Sequence, residues 1–137
     1  MGLIHLDAGV IIGFLDADDG HHDAARSVLV ECLDAGDRLA TAASAFAECL
    51  VGPSRRSPSS VQIVRDVIER LPVSVVDLGT EIAEAGALLR ARHRTLRLPD
   101  ALVIATASVA AADRLVTTDR NWPTAKVMKL PFRIDVI

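Results

Sequence analysis

Four carboxylates stand at the margins of apolar segments in this chain: Asp7, Glu48, Asp100 and Asp119. Asp7 closes the run Leu3-Ile4-His5-Leu6, and Asp119 closes Leu115-Val116-Thr117-Thr118. Asp100 opens a stretch with no further charge until Asp113. Singly, each has an ordinary explanation. A first-turn acid such as Asp100 gains some tenths of a kcal/mol to about 1 from the helix dipole. Glu48 suits a helix surface, and Asp119 suits the turn-rich Asp-Arg-Asn-Trp-Pro sequence. Gathered in one pocket they would act differently. Two carboxylates about 4 Å apart repel by roughly 4 kcal/mol at an effective dielectric near 20. Such a pocket takes up protons or holds a cation. Oxygen donors select a hard ion, Mg²⁺ or Mn²⁺, whose chemistry beside a phosphodiester is hydrolysis.

The elements that must position these acids can be read in order. Leu3–Leu6 is a short apolar run suited to a buried strand, followed by a short helix from Ala8 to Leu15. The cluster Asp16-Ala17-Asp18-Asp19-Gly20 reads as a solvated turn, and His21 to Ala35 has helical spacing. Arg38–Thr41 is a second strand, and Ser44 is the expected N-cap of the helix holding Glu48. Gly52 to Ser60, rich in Pro and Ser, is expected to be of low order, with a helix after it from about Val61 to Arg70. Pro72–Val76 is a strand, Thr80 to about Leu96 a long helix, and Leu98 to Ala112 a helix apolar nearly all round. Pro99 pre-sets its first turn, and such a helix belongs in the middle of a domain. Leu115–Thr118 is a strand, and Ala125–Met128 and Arg133–Val136 are late strand candidates.

Alternating strands and helices call for an α/β domain with a mainly parallel sheet covered on both faces, one domain over residues 1–137. Topology then unites the acids. A helix leading into a strand runs antiparallel to it, so Asp100 falls at the carboxyl end of the Leu115–Thr118 strand, beside Asp119. If the first strand is parallel, Asp7 joins them, and Glu48 follows the carboxyl end of the second. Open parallel sheets bind ligands in that crevice.

Composition narrows the classes. The net charge of −3 argues against general adhesion to nucleic acid, and 3% aromatic residues argue against a base-stacking platform. No apolar run reaches membrane-spanning length, and no secretory leader is evident, so the expected location is cytoplasmic without membrane contact. Cys32 and Cys49 lack metal-ligand spacing and are expected as buried free thiols. His21 and His22 read as surface histidines of a first helical turn. Arg90, Arg92, His93, Arg94 and Arg97 form the one concentrated basic stretch, leading to Asp100. They suit an RNA backbone, an acidic partner, or simply a solvated helix end. Arg55 and Arg56 are a weaker instance. Val61, Ile63, Val64, Val67 and Ile68 are too many apolar positions for one narrow helix face, and suit a partner groove, a homodimer surface or core.

At these residues the sequence resembles the PIN-domain family, and within it the short VapC-type toxins of toxin–antitoxin pairs. The resemblance runs over nearly the whole chain. It is carried by Leu6-Asp7-Ala8-Gly9-Val10-Ile11-Ile12, His22-Asp23-Ala24-Ala25, Ser44-Ala45-Phe46-Ala47-Glu48, Leu98-Pro99-Asp100-Ala101-Leu102-Val103-Ile104-Ala105-Thr106-Ala107 and Leu115-Val116-Thr117-Thr118-Asp119. It implies a three-layer α/β/α fold and a Mg²⁺- or Mn²⁺-dependent endoribonuclease that hydrolyses RNA. It also implies a cognate VapB-type antitoxin that neutralises the chain, and a homodimer. Asp7 and Asp100 are then the principal metal ligands, Asp119 completes the site or holds a second ion, and Glu48 ligates or orients the attacking water. One departure is visible: Ala8 and Gly9 stand where many members carry hydroxyl or amide side chains, and Thr118 is expected to place a hydroxyl near the pocket. A catalytically silent PIN-like module that binds RNA or protein is the alternative. A phospho-accepting receiver domain would require paired acids beside Asp7, which are absent.

Overall fold

The computed structural model describes residues 1–137. Its elements are β1 (Leu3–Leu6), α1 (Ala8–Leu15), α2 (His22–Asp34), β2 (Arg38–Ala42), α3 (Ala43–Arg56), α4 (Pro58–Arg70), β3 (Val73–Val76), α5 (Thr80–Arg92), α6 (Leu98–Val109), β4 (Arg114–Thr117) and β5 (Arg133–Val136). The five strands form one parallel sheet in the order β3-β2-β1-β4-β5. β1 is central, paired with β2 through Ile4↔Leu39 and with β4 through His5↔Leu115. A strand enclosed in this way must be apolar on both faces, and Ile4, His5 and Leu6 are all buried. Right-handed crossovers place the helices between β1 and β3 on one face and the α5–α6 pair on the other. The result is the expected α/β/α arrangement.

α6 fills the interior as its composition requires: Ala101, Val103, Ile104, Ala105, Thr106 and Ala107 are buried. Small residues let it approach its neighbours closely. Gly86 of α5 is one such point, since a Cβ there would lie 2.7 Å from Leu102 Cδ2. Both cysteines are buried and free. No helix is long and apolar enough to cross a membrane.

The structure differs from the sequence reading at several boundaries. β2 runs directly into α3, so Ala42 takes the cap position without a side-chain bond and Ser44 lies inside the helix. The stretch from Gly52 to Ser60 is helical apart from one residue. α3 continues through Pro53, whose ring forfeits a single backbone bond, and stops at Ser57. Ser57 then caps α4, its Oγ accepting the Ser60 N–H at 3.1 Å, with Pro58 in the first turn. Ser-Pro-Ser-Ser is therefore a helix start, not a loop. α5 ends at Arg92, because His93 is extended and the chain turns to bury Leu96. Ala125–Met128 is a turn, not a strand. Met128 N–H bonds to Thr124 O, and Lys129 ends the turn with φ 54°.

Candidate metal centre

Parallel strand direction brings the carboxyl ends of β1 and β4 together where the strand order reverses, between the first strand's leftward and rightward neighbours. Asp7 is the first residue beyond β1 and the N-cap of α1, its Oδ1 accepting the Ala8 N–H at 2.8 Å. Its Oδ2 accepts the Thr117 hydroxyl at 2.7 Å from the end of β4. The residue is only 8% exposed, so ionisation is costly. Burial pushes its pKa up to about 6, against the two hydrogen bonds, and the charges of Asp100 and Glu48 push the same way.

Asp100 lies in the first turn of α6, its side chain 16% exposed and its Oδ2 3.3 Å from Arg97 Nε. Glu48 projects from α3 and is exposed, yet partial desolvation and Asp100 raise its pKa, with Arg97 opposing. Cys49, next in sequence, is inert: burial, Glu48 and Asp7 push its thiol up to about 12. Asp7, Glu48 and Asp100 therefore form one electrostatic cluster faced by a single cation, Arg97.

Asp119 is placed differently. It sits past β4, where its N–H donates to Thr117 Oγ1 at 3.0 Å and its Oδ1 accepts the Asn121 N–H at 2.8 Å. It reaches Asp7 only through the Thr117 hydroxyl and is engaged in a turn. No three acidic, histidine or cysteine side chains form a ready-made cage for an ion. The donor set nonetheless fits Mg²⁺ or Mn²⁺, because such ions keep several waters and use only one or two carboxylates. The raised Asp7 pKa bears on that fit, since burial and, to a lesser degree, Asp100 and Glu48 disfavour its charge, and a bound cation would offset both.

Two threonines that the sequence reading passed over hold this edge. Thr117 bridges Asp7 and Asp119, and Thr41 donates to Leu6 O at 2.8 Å, tying the end of β2 to the residue before Asp7. Both are fully buried. The available signal was a polar residue at an inward position of an otherwise apolar strand. Thr118, which sequence reading favoured, makes no hydrogen bond to Asp7; its Oγ1 lies against Gly9.

The Asp16–Asp19 cluster and His22 hold local turns and contacts. Asp16 and Asp19 accept the N–H groups of Asp18 and His21 as turn caps, and His22 Nδ1 lies 2.9 Å from Gly13 O. Beside Glu48, a cavity of about 490 Å³ opens between α1, α3 and α4. It is lined by Ile12, Ile63 and Val64, with Asp16, Asp18 and Glu48 at hand.

Comparison with known proteins places this geometry in context. The sequence matches the PIN domain family over residues 4–127. No curated protein matches it. Among solved structures, VapBC2 from Rickettsia felis, bound to a DNA fragment from its promoter, is similar with a TM-score of 0.71 and 18% identity, covering 98% of each chain. VapBC-1 from nontypeable Haemophilus influenzae aligns with a TM-score of 0.71 and 17% identity over 98% of this chain and 97% of that one. VapC20 from Mycobacterium tuberculosis, a toxin that cleaves the Sarcin-Ricin loop, aligns with a TM-score of 0.64 and 16% identity over 82% and 86%.

Proposed function

This chain belongs to the PIN domain family, and from that premise we propose that it is a metal-dependent endoribonuclease, the toxin of a VapBC-type toxin–antitoxin module. The observation that carries the reading is the buried Asp7 carboxylate, raised in pKa beside Asp100 and Glu48 at the sheet's carboxyl edge. Asp7 caps α1, but capping requires neither Asp100 nor Glu48 beside it. Their charges add to the cost of burying Asp7, and a divalent cation offsets it.

In this reading Asp7 and Asp100 hold the ion, directly or through water, and Asp119 completes the shell or serves a second ion. When bound, Mg²⁺ or Mn²⁺ supplies Lewis-acid stabilisation of the phosphodiester and a lower pKa for water. Thr117 fixes which Asp7 oxygen faces the crevice by occupying Oδ2. Glu48, exposed and with its pKa raised, suits accepting a proton from the attacking water. Arg97 stands 3.3 Å from Asp100 and is 77% exposed on its side chain, free to swing toward a phosphate oxygen. Arg94 in the same loop is exposed and extends that positive approach.

The cavity between α1, α3 and α4 supports an antitoxin partner. Its apolar lining suits aliphatic anchors, its three acids against one cation, Arg56, favour basic flanks, and Ile63 at its edge is 62% exposed. A cytoplasmic homodimer belongs to the same reading.

The test is incubation of purified, antitoxin-free protein with structured RNAs in Mg²⁺, Mn²⁺ or EDTA, beside a folded Asp100→Asn variant. Metal-dependent cleavage that disappears in the variant is the expected result. No cleavage, with equally weak metal binding by both proteins, would overturn the reading in favour of a silent binding module.

A further inference from the structure

Gly9 is the second residue of α1, two positions after Asp7, and its missing side chain is occupied. A Cβ built there would lie 2.1 Å from Thr118 Oγ1, 3.3 Å from Thr118 Cβ and 3.4 Å from Thr118 Cγ2. The first distance is impossible for real atoms, and the other two leave little room for a β-branched side chain to turn aside. The contact therefore demands glycine for reasons of approach, since Gly9 has no positive φ that would require it.

What this approach controls follows from its neighbours. Thr118 lies between Thr117, which donates to Asp7, and Asp119, whose N–H bonds to Thr117. On the other side of the contact, Asp7 caps the same helix turn that contains Gly9. The start of α1 and the end of β4 thus meet at three levels: Asp7 N–H on Val116 O, Asp7 Oδ2 on Thr117 Oγ1, and Gly9 against Thr118. The first two are hydrogen bonds with fixed lengths. The third is a steric stop that sets how closely the helix may approach the strand.

We propose that the Gly9–Thr118 contact is a positioning device for the candidate metal centre, in which the bare Cα of Gly9 admits Thr118 and so keeps Thr117 and Asp119 in place against Asp7. Any side chain at position 9 wedges the 117–119 segment outward, lengthening the Thr117–Asp7 bond and carrying Asp119 away from the crevice. Gly9 and Thr118 act through Asp7 and Asp119 and touch no reacting atom. The inference rests on the metal-centre reading for its consequence, but not for its geometry.

The experiment compares wild type, Gly9→Ala and the double variant Gly9→Ala/Thr118→Gly, each checked for a cooperative unfolding transition. Mn²⁺ affinity is measured by calorimetry, and exchange of the Asp119 amide hydrogen by NMR. Gly9→Ala should weaken Mn²⁺ binding by about tenfold or more, the range for residues that orient metal ligands, and should accelerate Asp119 exchange. The double variant, which removes the obstructing atoms, should recover both, although a second truncation would further weaken a contact that served packing alone. Unchanged affinity and exchange in Gly9→Ala would show that Thr118 merely rotates and would overturn the proposal, as would a double variant worse than the single one. If wild type binds no Mn²⁺, the metal-centre reading falls, and the Asp119 exchange rates still decide whether the contact positions the segment.

Discussion

The Thr117 hydroxyl donates to Asp7 Oδ2 at 2.7 Å across 110 residues of sequence, and its own oxygen accepts the Asp119 N–H. One buried hydroxyl thus joins two candidate ligands and favours the ionised form of Asp7. Thr117→Val keeps the shape of the side chain and removes that support. The Asp7 pKa should rise above its value of about 6, so Mn²⁺ affinity at pH 6.5 should fall more than at pH 8. Calorimetric titration at the two pH values measures the difference.

Asp7 itself should be held at a cost to stability. Its folded pKa is raised from 3.8 to about 6, so the folded state binds the extra proton in that interval. Stability from this group is present below pH 4 and lost as pH rises through 6. Asp7→Asn should therefore stabilise the metal-free protein at pH 7.5, by up to about 3 kcal/mol at roughly 1.4 kcal/mol per unit, while abolishing RNA cleavage. Urea denaturation of both proteins tests the first part, and equal or lower stability of the variant would contradict it.

His5 has the opposite dependence. It is 1% exposed in β1, neither ring nitrogen has a hydrogen-bond partner, and burial lowers its pKa from 6.5 to about 4. The unfolded chain takes up the proton first, so stability is full above pH 6.5 and falls as pH drops toward 4. Wild type should consequently show a nearly flat profile between pH 4 and 6, where Asp7 and His5 offset each other. His5→Leu should expose the Asp7 arm alone, with stability increasing toward acid. At pH 7 it should also gain about 1–3 kcal/mol from the unpaired nitrogens removed. Thermal melts across that range separate the two groups.

Ser57 is the only side chain capping α4, with its Oγ on the Ser60 N–H. Ser57→Ala should lower stability by about 1 kcal/mol without altering Mn²⁺ binding, because the cap lies outside the acidic edge. Chemical denaturation and calorimetry on one preparation check both halves.

How much of this was legible varies with the kind of signal. β1 with Asp7 and α6 with Asp100 could be read directly, because a charge bounding an apolar run marks both the element and its end. The convergence of Asp7, Glu48 and Asp100 followed from strand direction and crossover handedness, which are general rules and not properties of these residues. Thr117 carries only a faint signal, its polarity in an apolar strand, since a threonine in a strand is ordinary and its partner is 110 residues away. Ala125–Met128 is short and mostly apolar, as a strand would be, but its backbone closes locally: Thr124 O accepts the Met128 N–H at 3.0 Å and Thr124 Oγ1 the Val127 N–H at 3.2 Å. Ser57 and Pro58 are deceptive because residues that break helices internally also begin them, whereas Pro53 is simply tolerated inside α3.

The central place of β1 has a consequence for synthesis. β1 leaves the ribosome ahead of both neighbours, pairing on one side with β2, which follows soon after, and on the other with β4, more than a hundred residues later. Until Thr117 is made, Asp7 has no hydroxyl partner and the acidic edge lacks one wall. Contacts this distant in sequence form late. On the proposed function, a nascent chain should therefore not cleave RNA until β4 has docked beside β1 and the acidic edge is complete. On the same reading, a partner that blocks the acidic edge has to meet folded molecules and needs no access to growing ones.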